Sequence, residues 1–375
     1  MKFKPFPEKI YVTRPMLPDL DDVYNSLEEI WEEQILTNGG PKHQALESAL
    51  CHTLKVPSLS LFNNGTIALI TACQALRLTG EVITTPFTFP ATPHVLAWNQ
   101  ITPVFCDIDP VTMNIDAKKI EALITKKTSA ILGVHVYGTP CDVFAIEEIA
   151  RRHGLKVIYD AAHAFGTEIN GRGIGTFGDI SMFSFHATKL FHTSEGGCVT
   201  FNDPHLKQHI DLLKNFGIKN EDEVILPGIN GKLNEIQAAI GLLNLNQLEE
   251  ERRRRAVITK VYREELSGVE GISLVNLASD VRSSLQYFVI RIQQDKFGIS
   301  REEVHCKLKD YNVITRKYFN PLCSNYECYK GLPSASPERL PVAHEVVQEV
   351  LVLPLYGQLP IENVRIICAL IRSLN

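Results

Sequence analysis

Lys189 stands in an unusual place within the stretch GDISMFSFHATKLFHTSEGG, residues 178–197. It follows an apolar run that reads as a buried strand and precedes a Glu-Gly-Gly turn. Withdrawing an ammonium from water is costly, so burial lowers its pKa and leaves a neutral amine. A neutral amine is a nucleophile, and such a lysine commonly forms a Schiff base with a carbonyl, that of pyridoxal phosphate (PLP) among them. The same pattern fits a surface lysine that closes a loop.

Upstream residues add to the case. Asp160 ends the run LKVIYD and opens DAAHAFG. A carboxylate at a buried strand end needs a cationic or hydrogen-donating partner. A protonated pyridine nitrogen would serve, and so would the free N–H groups of a helix start. His163 follows at a spacing that could aim it at the same ring, or leave it a structural histidine. Asn64-Gly65-Thr66 opens a run containing Ala68, Leu69 and Ala72. Free N–H groups at a helix start, a glycine allowing close approach and a threonine hydroxyl make an anion site, although an asparagine cap with a turn glycine reads the same way. Phe89, in PFTFPAT, could cover one face of a pyridine or pack in the core, and the Ser184 hydroxyl, five residues before Lys189, could meet a phosphate.

The elements that must position these residues alternate. Short apolar runs, 58–62, 81–85, 102–108, 129–136, 155–161, 180–185 and 197–201, are separated by helical patterns. That order predicts an α/β fold with a large, mostly parallel sheet covered by helices on both faces. Ligands in such sheets gather at the carboxyl ends of the strands, where most of the singled-out residues fall. Helices are expected over 21–36, with Val23, Leu27, Ile30 and Trp31 on one stripe, and over 42–54, with Leu46, Leu50 and Leu54. A long helix over 237–266 carries Arg252 to Arg255, read as a solvated face. Beyond it, a strand over 283–292, a helix near 300–311 and a last helix from Ile361 predict a smaller α+β domain. The expected division is 1–245 for the N-terminal segment and large domain, and 246–375 for the hinge helix and small C-terminal domain.

Composition narrows the function classes. The 375 residues are 45% hydrophobic and 22% charged, with net charge -5, which offers no field for a polyanion. Binding to nucleic acid is therefore not expected. No apolar run approaches the ~20 residues of a membrane span, and the opening MKFKPFPEKI lacks the apolar core of a signal peptide. The nine cysteines show no metal-like or disulfide-like spacing. A cytoplasmic location is expected. No Gly-x-Gly-x-x-Gly follows the first strand, which speaks against a nicotinamide dehydrogenase.

The blocks NNGTIAL, TTPFTFPATPH, VFCDIDPVTMNID, HVYGTPCD, YDAAHAFG, GDISMFSFHATKLFHTSEGG and GINGKLNEIQAAIGL lie in an order that resembles the nucleotide-sugar aminotransferases of the DegT/StrS family, which are fold type I PLP enzymes. The resemblance covers nearly the whole chain. It implies that Lys189 holds PLP as a Schiff base and acts as the catalytic base and acid. Asp160 would pair with the pyridine nitrogen, Phe89 would stack on the ring, and His163 would lie beside the ring hydroxyl. Gly65, Thr66 and Ser184 would hold the phosphate. Asn230 would reach that phosphate across an interface, which makes a homodimer part of the site.

The implied reaction moves an amino group from L-glutamate to the 4-keto carbon of a nucleotide-linked 4-keto-6-deoxyhexose, for surface polysaccharide or glycoconjugate synthesis. One branch of the family has histidine in place of the lysine and dehydrates its substrate, so Lys189 favours transamination. LTNGGP, SLFNNGTIALITA and FHATKLFHTSEGG look most like the enzymes that make dTDP-4-amino-4,6-dideoxyglucose, which implies dTDP-4-keto-6-deoxy-D-glucose as substrate. A GDP- or UDP-linked keto-sugar, a 3-keto position and a PLP-binding regulator without turnover are the alternatives. The substrate's two phosphates need further donors, for which the Asn38-Gly39-Gly40 turn and Arg316 or Lys317 beside Tyr318 are candidates. In the Tyr318-to-Leu322 block, Cys323 stands where the family usually has histidine.

Overall fold

The structure is a computed structural model and describes residues 3–375. The seven expected runs form one seven-stranded sheet, in the order Ser58–Phe62, Gly197–Phe201, Ile180–Ser184, Lys156–Asp160, Thr128–Val134, Glu81–Thr84, Thr102–Phe105. Gly197–Phe201 runs antiparallel to both neighbours, and the other six strands share one direction. The strands are apolar on both sides because both sides are covered. Phe62, Val82, Leu132, Ile158 and Met182 meet the helices Gly65–Ala75, Ala91–Trp98 and His205–Leu213. Leu61, Ile83, Ile131, Val157 and Phe183 meet Pro41–Leu54 and Val143–His153. Successive residues of one strand thus serve opposite layers.

The helix Glu235–Leu266 leaves this layered body and enters a second one. Its start is fixed by a capping box in which Asn234 and Gln237 satisfy each other's backbone N–H groups. Near its far end, Ile258, Tyr262 and Leu266 pack on a three-stranded antiparallel sheet, Ile272–Leu274, Phe288–Ile292 and Val350–Leu353. Helices Arg301–Asp310 and Ile361–Arg372 cover that sheet. The helix Pro341–Glu349 joins the two bodies: Ala343 and Val346 belong to the large sheet's core, and the buried Asp107 carboxylate accepts from the N–H groups of Val342 and Ala343 at 3.2 and 2.9 Å. A carboxylate at a helix start meets both free donors and the positive end of the helix dipole.

Three expectations need correction. In the helix Leu20–Glu33, Ile30 is buried and Val23 and Leu27 are half-buried, whereas Trp31 is 63% exposed within one chain. The Arg252–Arg255 run is only half solvated. Arg252 and Arg255 are buried and reach backbone carbonyls of residues 283–285, while Arg253 and Arg254 point outward to Glu250. The strand expected over 283–292 is regular only from Phe288. Leu285 takes a left-handed φ of 55°, which turns residues 283–287 into a hook.

Candidate functional site

The strand ends converge on a cavity of about 270 Å³ at the carboxyl edge of the large sheet. Lys189, Asp160 and His163 lie in its wall, with Phe89 and Tyr318 on other sides. The turn Asn64-Gly65-Thr66 and Ser184 form a further side. Residues from five separate stretches of sequence are thereby brought to one place.

Asp160 is the last residue of its strand and is 5% exposed. Oδ2 accepts the Thr92 hydroxyl at 2.8 Å, and Oδ1 accepts the Ala162 N–H at 3.0 Å. Burial raises its pKa above the usual carboxylate value, and these two donors and the Lys189 charge hold the rise back. Lys189 lies in the loop between Ser184 and Gly197. Burial brings its ammonium down from 10.5 to about 8, with the Asp160 charge opposing the shift. About a tenth of the amine is then neutral at pH 7, far more than for an ordinary lysine. His163 is held neutral, chiefly by burial and then by the Lys189 charge. Its ring stacks on Phe319 at 5.8 Å and meets Tyr287 edge-on at 5.1 Å, and its Nδ1 has no hydrogen-bond partner.

Asn64 does cap its helix, accepting the Ile67 N–H at 2.8 Å. The cap and the cavity-lining turn are one structure, so the two readings of this motif do not compete. A Cβ on Gly65 would sit 3.1 Å from Met182 Sδ and Ser184 Cβ, and the turn can press onto the strand because none is there. Phe89 is 56% exposed, which removes core packing as its explanation.

Four candidates lie outside the cavity wall. Arg316 pairs through its backbone with Val352, and its exposed side chain acts on the Tyr287 hydroxyl only through its charge. Asn38 and Gly39 form a left-handed turn, φ 67° and 77°. The helix start behind them is already served, because the buried Glu235 carboxylate accepts the N–H groups of Lys42 and His43 at 2.7 and 3.1 Å. Asn230 is exposed, and its carbonyl accepts from Asn63 at 3.5 Å. Sequence distance therefore does not keep Asn230 away from the Asn64-Gly65 turn. What keeps it out of the cavity is that its side chain faces solvent. Cys323 does not line the cavity either; its buried thiol donates to the Thr88 carbonyl at 3.2 Å.

Sequence reasoning missed Thr92, Gln286, Tyr287, His186 and Glu195. Thr92 sits in the first turn of its helix, where a hydroxyl is expected to find a partner. Gln286, a polar residue inside an apolar run, was a signal in itself. His186 and Glu195 face each other at 3.5 Å on the cavity rim.

Comparison with known proteins finds chains similar over nearly the whole length. A dTDP-4-amino-4,6-dideoxy-D-glucose transaminase of Escherichia coli is 49% identical over 353 residues, 93% of this chain and 94% of the relative. A protein of the same name from Shigella dysenteriae is 45% identical over 366 residues, 98% and 99% of the two chains. The solved structure of DesI in the presence of its TDP-sugar product superposes with a TM-score of 0.94 at 36% identity, covering 99% of this chain and 94% of that one. With the DegT/DnrJ/EryC1/StrS aminotransferase pattern matched over residues 20–372, the chain belongs to that family.

Proposed function

We propose that this chain transfers the amino group of L-glutamate to the 4-keto carbon of dTDP-4-keto-6-deoxy-D-glucose, with PLP as cofactor. The observation that carries this reading is the Lys189 amine, brought down to about 8, in one cavity with the buried Asp160 carboxylate. The residues fit the cofactor. His163 offers an unpartnered ring nitrogen, and Gly65 opens a helix at the cavity wall beside Thr66 and Ser184. When bound, PLP supplies a ring that takes up the electron pair released as the donor's Cα–H bond breaks.

The chain's own residues do the rest. Lys189 would hold the cofactor through Nζ and carry the proton released at the donor's Cα, as base and then acid. Asp160, oriented by Thr92, would keep a proton on the pyridine nitrogen. His163 would donate or accept beside the ring hydroxyl. Gly65, Thr66 and Ser184 would bind the phosphate, and Phe89 would cover the ring and exclude water. Asn38, Gly39, Arg316 and Tyr318 are the proposed contacts of the nucleotide sugar.

A homodimer belongs to the proposal. Leu20, Tyr24 and Trp31 are more than 60% exposed, and Val224, Ile225 and Phe216 about half or more. Such apolar surface suits a symmetric partner, which would bring its Asn230 to the neighbouring cavity. We place the boundary between the large and small domains near residue 245, and the protein in the cytoplasm, in surface polysaccharide synthesis. Among the described residues no helix is long and apolar enough to cross a membrane.

The test is a panel. Purified protein, PLP and L-glutamate are incubated with dTDP-, GDP- and UDP-linked 4-keto-6-deoxy sugars, and 2-oxoglutarate is measured. Turnover with the dTDP sugar, abolished in Lys189→Ala, is expected. Failure to take up PLP overturns the whole reading, and turnover only with GDP or UDP sugars overturns the nucleotide.

A further inference from the structure

The hook at 283–287 brings a buried amide to the backbone on both sides of Lys189. Gln286 is 2% exposed. Its Oε1 accepts the Leu190 N–H at 2.6 Å, and its Nε2 donates to the Thr188 carbonyl at 3.0 Å. A side-chain amide is the group that can meet a backbone donor and a backbone acceptor at once, and only one orientation of it satisfies both. The residues immediately before and after Lys189 are thus paired as one strand pairs with another.

The hook is itself held from behind. Arg252 donates to the Ser283 carbonyl at 2.6 Å and to that of Ser284 at 3.5 Å. Arg255 donates to the Leu285 carbonyl at 3.3 Å and closes on Glu251 at 2.6 Å. Glu251 in turn accepts the Gly357 N–H at 2.9 Å. A buried guanidinium is tolerated only with its donors met, and here backbone carbonyls of the bend meet them.

We propose that Gln286 is a positioning residue for Lys189, fixing the backbone from which the amine reaches the cavity, and that Arg252 and Arg255 hold Gln286 at that station. The catalytic consequence rests on the PLP reading above, whereas the clamp does not. The long helix thereby couples the small body to the reacting amine without touching the cavity. A displacement of about 1 Å at a reacting group costs on the order of 100-fold in rate, so loosening this loop acts on the chemical step more than on substrate binding.

Hydrogen exchange on the cofactor-free protein tests the clamp directly. In Gln286→Leu, peptides spanning 187–192 are expected to exchange roughly tenfold faster, with strands of the large sheet unchanged, since a lost local hydrogen bond opens locally. Gln286→Glu keeps the acceptor for Leu190 and loses the donor to Thr188. It carries the test if the leucine variant does not fold. Arg252→Ala is expected to loosen the same peptides although it touches none of them.

With PLP added, the pH midpoint of the lysine-bound visible band should move, and the single-turnover rate with glutamate should fall about tenfold or more, with the KM for glutamate within about twofold. Wild-type exchange at 187–192, or a wild-type band midpoint and rate with only a lower melting temperature, would overturn the proposal and leave Gln286 a docking contact. A wild-type protein that takes up no PLP sinks the PLP reading, and the exchange result still decides the clamp.

Discussion

Thr92 donates its hydroxyl to Asp160 Oδ2 at 2.8 Å, and Thr88 and Thr92 share a hydrogen bond at 2.9 Å behind it. The helix start that follows Phe89 therefore also orients the carboxylate proposed to face the cofactor nitrogen. Burial raises the Asp160 pKa, and the Thr92 hydroxyl is the first of the groups opposing that rise. Thr92→Val removes it, so the carboxylate will protonate at higher pH and the acid limb of the kcat/KM profile will move upward. Thr92→Ser should keep the limb in place. An unmoved limb in the valine variant would separate Asp160 ionisation from turnover.

Lys189 gives a stability prediction of opposite sign to its importance. Its folded value of about 8 lies below the usual 10.5, so between these values the unfolded chain binds more protons and stability rises with pH. Below about 8 both states are protonated and the full cost of the partly desolvated charge is present. Cofactor-free Lys189→Met should therefore unfold at higher urea than the wild type at pH 7, with the advantage shrinking toward pH 10. Equal midpoints at both pH values would mean the amine is not desolvated.

The proposed sharing of cavities between two subunits predicts complementation. Lys189→Ala and Asn230→Ala are each expected to be inactive or nearly so. Mixed and re-equilibrated, they should form hybrid dimers with one site that has both groups, and part of the activity should return. Full turnover by a protein that sediments as a monomer would defeat the shared site.

Arg316 should divide the two half-reactions. Its side chain is exposed and lies outside the cavity wall, near Tyr287. Arg316→Ala should raise the KM for the keto-sugar nucleotide and leave the half-reaction with glutamate nearly unchanged, the signature of lost uniform binding. Equal damage to both halves would assign Arg316 to the donor carboxylate or to the fold.

Glu235→Gln tests the capped helix behind the Asn38-Gly39 turn. The charged acceptor serves the N–H groups of Lys42 and His43, and charge-assisted bonds of this kind contribute about 1.5–3 kcal/mol each. A loss of about 1–3 kcal/mol in urea unfolding is expected. A change near zero would mean that the neutral amide caps the helix equally well.

Much of this was legible in the residues. A strand covered on both faces must be apolar at successive positions, and that is why all seven strands of the large sheet could be placed from their runs. Asp160, Lys189 and Gly65 stood out because each is expensive or purposeless in its place unless it is used. What escaped had a common cause. Periodicity shows that a face is apolar or charged, and it does not show what meets that face. The stripe through Val23 and Trp31 was legible as one apolar face, yet within one chain Ile30 is buried, Val23 and Leu27 are half-buried and Trp31 is exposed. The arginines at 252 and 255 read as solvated because their partners, the carbonyls of 283–285, have no sequence signature. Gln286 was visible as a polar residue but passed over for a related reason: SSLQYFVIRI alternates well enough for a strand, and only the left-handed Leu285 breaks it.

The reversed strand Gly197–Phe201 has one more effect. Since it runs back beside Ile180–Ser184, the lysine sits in a hairpin whose mouth is tied shut, Phe185 N–H to the Gly196 carbonyl at 2.8 Å and Thr193 N–H to the Phe185 carbonyl at 3.0 Å. On its other edge the same strand lies on the Asn64-Gly65 turn, where a Cβ at Gly197 would come within 2.7 Å of the Gly65 nitrogen. The loop that carries Lys189 and the Asn64-Gly65 turn, far apart along the chain, are therefore welded along a seam of bare backbone. A methyl group added at residue 197 would not touch the cavity, yet it would pry the two halves of the site apart.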